Sequence, residues 1–422
     1  MHRFRRSAPA AALLLAAAAA RAQDAPKNED LEDRIAELED KVEALSRPKP
    51  EVKLLDLSLS GLFAAGGSTA TEDELESLQG GGHDPHKRGF TVQNVELAMS
   101  GAVDPYFRGD LFLVTFLDAE GETEVELEEA YATTTGLPGG LQARAGHFFT
   151  EFGRLNPSHP HSWDFVDQPV VSTRMFGADG MRAPGARLSW LAPAGIPLEV
   201  LGTAQNANGE TMTSFLGAEG EDQVGGRPRA APDVRSPADL AYSGRVQASL
   251  DASPSTVALL GASGSFGPNG TGTSGRTRIL GADLTVKWKP PANDHGFPFV
   301  TWQTEAMSRR FHADEFLVPG MPFFPHETLE DVGAYSQVTW GFERGWTAGA
   351  RWDWADGIHG DPEGDPFRDH RTRGALALTW FPSEFSKVRL QVNRDRSEAL
   401  GESTSVWIQF EFVLGAHGAH KF

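Results

Sequence analysis

The feature that most constrains this chain is a succession of segments in which apolar and polar residues alternate. These segments are joined by connections that are alternately short and long. From residue 51 onward, about sixteen segments of ~9–12 residues alternate apolar and polar side chains, the length that a tilted strand needs to cross a bilayer. Every second connection is short, as at Asp104-Pro105 and Arg344-Gly345, and most of the others are long. Membrane barrels have short turns on one side and longer loops on the other. The pattern therefore predicts an all-β transmembrane barrel of about sixteen antiparallel strands over residues 51–422.

The N-terminus predicts export. A basic start with Arg3, Arg5 and Arg6 precedes an apolar run from Ala8 to Ala20, and Ala20-Arg21-Ala22 has the form of a cleavage signal. The apolar run is too short to cross the ~30 Å core of a bilayer as a helix. Residues 1–22 are therefore predicted to be a signal peptide. The chain contains no cysteine, so an exported domain of this length would fold without disulfide bonds.

Residues 23–50 carry a short heptad pattern. Its apolar positions are Leu31, Ile35, Leu38, Val42 and Leu45. This spacing predicts a coiled-coil helix that ends at a proline-rich linker around Pro48 and Pro50. Two heptads are too few to be stable alone, so the interpretation requires a larger oligomer, and we expect a homotrimer with this helix in the periplasm. A merely amphipathic helix is the alternative.

Charge and motifs exclude two classes of function. The formal charge of the chain is −20, which argues against binding to nucleic acid. Serine, histidine and acidic residues are present, but they form no hydrolase signature. We therefore expect neither a nucleic-acid-binding protein nor an enzyme.

The stretch Glu151–Arg182 stands apart because it is long, has no clean period and is rich in reactive side chains. Long loops in compact domains are usually functional. Apolar groups such as Trp163, Phe165 and Phe176 would be costly to expose, so we expect this loop to fold into the barrel and narrow it. The expected constriction residues are Arg154, His159, His161, Asp164, Asp167, Arg174 and Arg182. Asp164 and Asp167 would attract cations and Arg174 and Arg182 would oppose them, which predicts modest cation selectivity.

Charged residues of both signs occupy the predicted inward positions of the strands. The expected lumen-lining residues are Glu124, Glu126, Glu128, Arg187, Lys287, Glu305, Arg351, Asp353 and Arg389. A barrel of this size would enclose water rather than a packed core. His159 and His161 are also candidate ligands of Zn²⁺, although a His-x-His pair without a third fixed ligand is a weak signature. Hydrogen bonding within the folded loop is the alternative, and no other cofactor is expected.

The heptad helix, the sixteen-strand layout and the run FFTEFGRLNPSHPHSWDFVDQPVV followed by PGARLSWL resemble the phosphate-selective porin O/P group. That run and the ending FVLGAHGAHKF are similar to relatives labelled zinc-regulated outer-membrane receptors. The resemblance implies an outer-membrane porin whose third external loop enters the lumen. The ladder of Arg and Lys that lines phosphate-selective members is missing here. The chain is also too short to supply the plug and about twenty-two strands of TonB-dependent receptors.

The resemblance implies a water-filled channel for small hydrophilic solutes or ions. The alternatives are a substrate-specific channel for zinc or phosphate and a structural barrel that tethers the envelope. The expected partners are outer-membrane lipid and the barrel-assembly machinery, which would recognise Phe422 or, if the last strand ends earlier, Phe412.

Overall fold

A computed structural model describes residues 55–118, 121–220, 223–230, 233–317, 319, 322–360 and 368–415. The predicted signal peptide, the predicted coiled-coil helix and the predicted recognition residue Phe422 lie outside the described residues. In the described part of the chain, no helix is both long enough and apolar enough to cross a membrane.

Sixteen strands form a single closed antiparallel barrel. The strands are β1 (Asp56–Ser68), β2 (Gly89–Ala102), β3 (Phe107–Leu117), β4 (Thr123–Thr134), β5 (Leu141–Phe149), β6 (Arg182–Ala192), β7 (Leu198–Asn206), β8 (Leu240–Ser253), β9 (Thr256–Pro268), β10 (Arg276–Trp288), β11 (Phe299–Ala313), β12 (Glu327–Glu343), β13 (Trp346–His359), β14 (Arg371–Ser383), β15 (Ser386–Ser397) and β16 (Gly401–Gly415). Each strand pairs with its neighbour in sequence, and β1 pairs with β16 to close the ring. The prediction of a sixteen-stranded antiparallel barrel is confirmed.

The two ends of the barrel differ as the sequence predicted. At one end, which we call the turn rim, strands are joined by short connections such as 344–345 between β12 and β13. At the other end, the loop rim, long connections occur at 69–88 (L1), 150–181 (L3) and 207–239 (L4). The connection between β11 and β12 is shorter than these three, because the two strands remain paired as far as Ala313 and Glu327.

The outer surface of the wall is apolar. Along β16, Ile408 is 54% exposed whereas its neighbour Trp407 is 0% exposed, so the alternation places the aliphatic face outside. Tryptophans gather near the turn rim on several strands: Trp190, Trp288, Trp302, Trp340, Trp346 and Trp380. Aromatic girdles of this kind mark the interface between the lipid and the water in membrane barrels.

The core of the molecule lies inside the barrel, on the side of the loop rim. L1 contains helix α1 (Glu72–Leu78), which Thr71 begins with a capping box, and L3 contains helix α2 (Val170–Phe176). Short 3-10 turns occur at Pro138–Gly140, Pro160–Ser162 and Pro237–Asp239. One buried apolar cluster joins L3, L4 and the wall; its members include Phe152, Met175, Phe176, Met212, Phe215, Leu216, Ile279 and Met307. The loops therefore supply the packed core that the strands alone would not enclose.

Candidate functional site

A cavity of about 840 Å³ occupies the half of the barrel interior nearest the turn rim. Its lining includes Asp56, Ser100 and Arg108, which lie close to the turns, and residues 153–155 and 157–158 of L3 form part of its inner boundary. We call this cavity the vestibule. Charged side chains contribute much of its boundary.

Charges of both signs line the vestibule, with an excess of acidic residues on β1 to β4 and an excess of arginines on β5 to β8. The exceptions are Arg108 on β3 and Glu199 on β7. Acidic side chains project from β1 to β4, namely Asp56, Glu96, Asp110 and Glu129. Basic side chains project from β5, β6 and β8, namely Arg144, Arg187 and Arg245. Because consecutive strands are neighbours in the barrel, the two groups occupy adjacent quadrants. A solute in the vestibule would therefore meet an electric field across the channel as well as along it.

The first residues of L3 bind a carboxylate of the wall. The backbone N–H groups of Arg154 and Leu155 donate to the two oxygens of Glu305, at 3.0 and 2.8 Å. Tyr335 donates its hydroxyl to the same carboxylate at 2.5 Å. Gly153 has a positive φ of 60° and lies so close to Glu305 that a Cβ atom would overlap the carboxylate. Glycine is therefore required where the chain turns inward.

His159 of L3 lies among three carboxylates that project from the wall strands β2 and β4. Its Nδ1 is 2.9 Å from Glu96 Oε2 and 2.8 Å from Glu128 Oε2, and its Nε2 is 3.0 Å from Glu129 Oε2. Glu128 and Glu129 are adjacent in sequence and are both buried, because a register irregularity between β3 and β4 interrupts the alternation there. An imidazolium ion donates from both nitrogens, which matches this arrangement.

The His159 cluster predicts that L3 docks less firmly at alkaline pH. Burial alone would lower the pKa of this imidazole, but Glu128 and Glu96 outweigh it and hold the pKa of His159 well above its ordinary value. The stabilisation of the docked loop is then complete below about pH 6.5, the ordinary histidine pKa, and is lost as pH rises through the raised value. Besides Glu96, Glu128 and Glu129, this imidazole faces His161 and interacts electrostatically with Tyr131.

We expect single-channel conductance to become larger and noisier as pH rises. The replacement His159→Ala should give the loose behaviour at every pH and flatten the profile. A pH profile in His159→Ala identical to that of the unchanged protein would contradict the assignment.

Asp167 holds the middle of L3 against the wall. Its Oδ1 accepts from Arg351 Nη2 at 2.7 Å, and its Oδ2 accepts from Arg373 Nη1 at 3.0 Å. Gln391 and Asn393 donate to the same carboxylate at 2.8 and 2.5 Å. The side chains of Asp167, Arg351 and Arg373 are at most 1% exposed. Removing one partner from such a buried ion pair is strongly destabilising, so this node anchors L3.

Other cations of the wall bind the backbone of L3. Arg389 donates to the carbonyl of Trp163 at 2.7 Å, and Lys387 donates to the carbonyl of His161 at 2.6 Å. Arg309 donates to the carbonyl of Arg174 at 2.8 Å. These inward charges satisfy loop carbonyls that would otherwise be buried without partners.

Glycines of the wall make room for apolar side chains of L3. A Cβ atom on Gly281 of β10 would lie 2.6 Å from the ring of Phe152. A Cβ atom on Gly349 of β13 would lie 3.1 Å from the ring of Phe165. The Phe152 ring therefore occupies a notch that only glycine leaves open, and the Phe165 ring packs so closely on Gly349 that a Cβ atom there would displace it slightly. Shape as well as charge thus fixes the position of L3.

The structure divides the seven expected constriction residues into two groups. Arg154, His159, His161 and Asp164 line the vestibule. Asp167, Arg174 and Arg182 do not line it. Instead, Arg174 lies 3.8 Å from Asp331, and Arg182 forms an ion pair with Glu126. The physical reason is that L1 and L4 also fold inward and cover this part of L3, which the sequence did not indicate.

The expected lumen-lining residues are similarly divided. Arg187 lines the vestibule, where it pairs with Glu151, and Lys287 is half-buried. Glu124 is exposed at the loop end of β4. Glu126, Glu128, Glu305, Arg351, Asp353 and Arg389 contact other side chains or loop backbone, and Arg351 binds Asp353 at 3.0 Å. Most of these inward charges therefore hold L3 in place.

Several residues of the site were not predicted from the sequence. Glu96 occupies an inward position of β2 and could have been found by alternation. Glu129 could not, because the irregularity between β3 and β4 places it on the face that alternation assigns to Glu128 alone. Arg373 and Asn393 carry no sequence signal for their common partner Asp167, which lies 206 and 226 residues away.

Among the described residues, two groups of histidine and carboxylate side chains bring their ligand atoms within 4.8 Å of one another. The first is Glu96, His159 and His161, which contains both predicted Zn²⁺ ligands. Both ring nitrogens of His159 already contact carboxylates, so a metal ion would have to displace them. Zinc binding at His159 and His161 stays a prediction.

Solved structures of other outer-membrane proteins share this architecture. No protein-family model matches the chain. Among solved structures, it is similar to an anion-selective porin from Comamonas acidovorans, with a TM-score of 0.53, 9% identity and coverage of 85% of this chain and 100% of that one. The outer membrane channel DcaP of Acinetobacter baumannii is similar with a TM-score of 0.51 and 11% identity over 85% and 96% of the two chains. OprB of Pseudomonas putida has a TM-score of 0.51 and 10% identity over 85% and 94%. At these identities the likeness shows the fold alone.

A sequence relative shows the family. An uncharacterized protein of Aquifex aeolicus is 32% identical over 403 residues, which cover 87% of this chain and 80% of that protein. The chain therefore belongs to the same family as this Aquifex aeolicus protein, and its fold is the sixteen-stranded β-barrel of outer-membrane porins.

Proposed function

We propose that this protein forms a water-filled channel in the outer membrane through which small hydrophilic solutes or ions diffuse. The observation that carries the proposal is the vestibule of about 840 Å³, lined by charged side chains, inside a closed barrel whose outer face is apolar. A barrel of sixteen strands can hold an aqueous channel. Arg154, His159, His161 and Asp164 are the proposed constriction residues, because they lie where L3 borders the vestibule.

The proposed selectivity is weak. Acidic residues of β1 to β4 attract cations and arginines of β5 to β8 attract anions, so neither sign is excluded. The formal charge of −20 favours cations outside the channel and supports a modest overall preference for them.

Reconstitution in planar bilayers tests the proposal. We expect stepwise, ohmic conductance and, in asymmetric KCl, a reversal potential that indicates mild cation preference. Glu129→Gln should shift that potential toward anions, whereas Arg187→Gln should shift it toward cations. A heat-modifiable, folded preparation that never conducts would disprove the channel.

A second candidate is a substrate-specific channel for metal ions or phosphate. Two groups of histidine and carboxylate ligands among the described residues favour metal ions. Arg144, Arg154, Arg187 and Arg245 lie on one side of the vestibule, where Arg187 pairs with Glu151 and Arg245 pairs with Asp283. This group of arginines supports the proposal that the chain belongs to the phosphate-selective porin O/P group. Phosphate that reduces KCl current at low concentration, while sulfate does not, would select the phosphate alternative.

The proposed assembly is a homotrimer with the N-terminal helix in the periplasm. The heptad positions from Leu31 to Leu45 support it. We further propose that the barrel-assembly machinery recognises the C-terminal aromatic residue, Phe422 or Phe412. Crosslinking in native membranes should give a trimer that is lost when residues 23–50 are deleted. Co-purification with peptidoglycan together with absent conductance would instead favour a barrel that tethers the envelope.

A further inference from the structure

A second group of ligand-type side chains lies away from the vestibule. It consists of His83 from L1, Glu126 from β4 and Asp179 from L3, and one ligand atom of each lies within 4.8 Å of the others. Three segments that are distant in sequence therefore meet in the loop half of the barrel. None of these three residues lines the vestibule.

His83 is oriented in the way that proteins orient a metal-binding imidazole. The residue is 3% exposed, and its Nδ1 lies 3.1 Å from the backbone carbonyl of Gln93. A carbonyl only accepts, so Nδ1 carries the proton and Nε2 presents a lone pair. Nε2 is buried and has no hydrogen-bond partner. Metal-ligating histidines usually donate their other N–H to a carbonyl or carboxylate in this manner.

Each of the two carboxylates also has one buried oxygen without a hydrogen-bond partner. These atoms are Glu126 Oε2 and Asp179 Oδ1. Leaving a buried polar atom without a partner is destabilising, so three such atoms close together favour a bound group that all three contact. Arg182 pairs with the other oxygen of Glu126 and donates to the backbone carbonyl of Asp179. With a neutral imidazole, two carboxylates and one guanidinium, the site keeps a negative balance that suits a cation.

The surroundings have room for one small ion. A cavity of about 20 Å³ borders the group on the side of His83 and Asp179, and Glu126 does not line it. A cavity of at least ~10–15 Å³ can hold one water molecule, so there is space for one small ion beside these two side chains. The backbone of Gly82 lies against Asp179, and a Cβ atom there would overlap Oδ1. Glycine therefore lets L1 bring His83 up to the carboxylate of L3.

We propose that His83, Glu126 and Asp179 form a binding site for a divalent transition-metal ion, with Zn²⁺ as the ion whose ligand preferences they match. Imidazole nitrogen and carboxylate oxygen are both among the ligands that Zn²⁺ takes in proteins. Bonds of ~2.0–2.2 Å in a tetrahedron place ligand atoms roughly 3.4 Å apart, so small side-chain rotations close the group. The bound ion joins L1, L3 and β4, and thereby holds the loops inside the barrel whether or not the barrel conducts.

Binding of Zn²⁺ to the folded, detergent-solubilised full chain tests this site directly. Equilibrium dialysis followed by elemental analysis should give one Zn²⁺ per chain that an excess of Mg²⁺ does not displace. His83→Asn keeps a donor near the position of Nδ1 but removes Nε2, and Asp179→Asn keeps the shape of the carboxylate. Each should lower the affinity at least tenfold, since even losing a group that only orients a ligand typically costs ~10–100-fold. His312→Asn, which removes an exposed imidazole of β11, is the matched control and should bind as the unchanged protein does.

A second readout separates this site from the rest of the molecule. Zn²⁺ should raise the temperature at which the barrel loses its folded electrophoretic mobility, and both variants should abolish this shift. Absence of Zn²⁺ binding by the folded protein would overturn the proposal. So would unchanged binding in both variants, or binding that is lost only in His161→Asn, which would place the ion at the vestibule. If one variant fails to fold, the other decides. Because no step requires current, a failure here is distinct from a failure of the channel.

Discussion

Asp167→Ala releases L3 from the wall: a cysteine placed at Ser172 should react with a small thiol reagent about a hundredfold faster in this variant. The carboxylate of Asp167 neutralises Arg351 and Arg373, and its loss leaves both guanidinium groups buried with one acidic partner fewer. Breaking a buried ion pair costs about 3 kcal/mol or more, which corresponds to roughly two decades in the docking equilibrium. Labelling follows the population of the open form when opening is fast.

The reporter is well placed for this measurement. The chain has no cysteine of its own, and Ser172 in α2 is 4% exposed, so the docked loop should protect it. Ser162 is exposed whereas Ser172 is buried, so a cysteine at Ser162 should label quickly in every variant.

Asp164→Ala is the matched control for the Asp167 experiment. It removes the same charge from the same loop, but Asp164 is only half-buried and accepts a hydrogen bond from Thr339 at 2.9 Å. Its labelling rate at position 172 should change by less than about tenfold. Open-channel conductance should rise in Asp167→Ala as the loop leaves the lumen, whereas Asp164→Ala removes a charge from the vestibule and should leave position 172 protected. Equal labelling rates in the two variants would show that Asp167 does not anchor the loop.

A second large effect on the position of L3 is expected when the two wall glycines that face its aromatic rings are replaced by valine. In Gly281→Val combined with Gly349→Val, the new side chains occupy the space of the Phe152 and Phe165 rings. Overpacking a well-packed site typically costs about 1–3 kcal/mol, and here the loop can move whereas the strands cannot. We expect L3 to shift away from β10 and β13, with faster labelling at position 172 and a larger, more variable conductance.

Gly202→Val separates this effect from the general consequence of adding valine to a strand. A Cβ atom on Gly202 of β7 meets no atom within 4 Å. The variant should therefore fold, conduct and label as the unchanged protein does, and valine also suits a strand. Heat-modifiable mobility of all variants would show that the barrel itself is intact. A double variant that is folded but unchanged in labelling and conductance would mean that the two rings do not seat L3.

The sequence by itself determined the barrel. Alternation in strands such as β16 fixes an inward and an outward face because side chains in a strand have a period of two. The difference between short and long connections fixes the direction of the chain, and the first and last strands must pair because a barrel in lipid has no free edge. These are local rules, repeated in every segment, so one sequence is enough to apply them.

Only the tertiary structure decided which inward charges face solvent. Whether Asp167 lines a channel or lies in an ion-pair node depends on Arg373 and Asn393, which are more than 200 residues away. Whether Glu129 faces inward depends on one irregularity in the pairing of β3 with β4. Alternation states that a side chain points into the barrel, but it cannot state what already occupies the space there. That space is filled by L1, L3 and L4, whose packing depends on shape and charge between distant segments rather than on any period in the sequence.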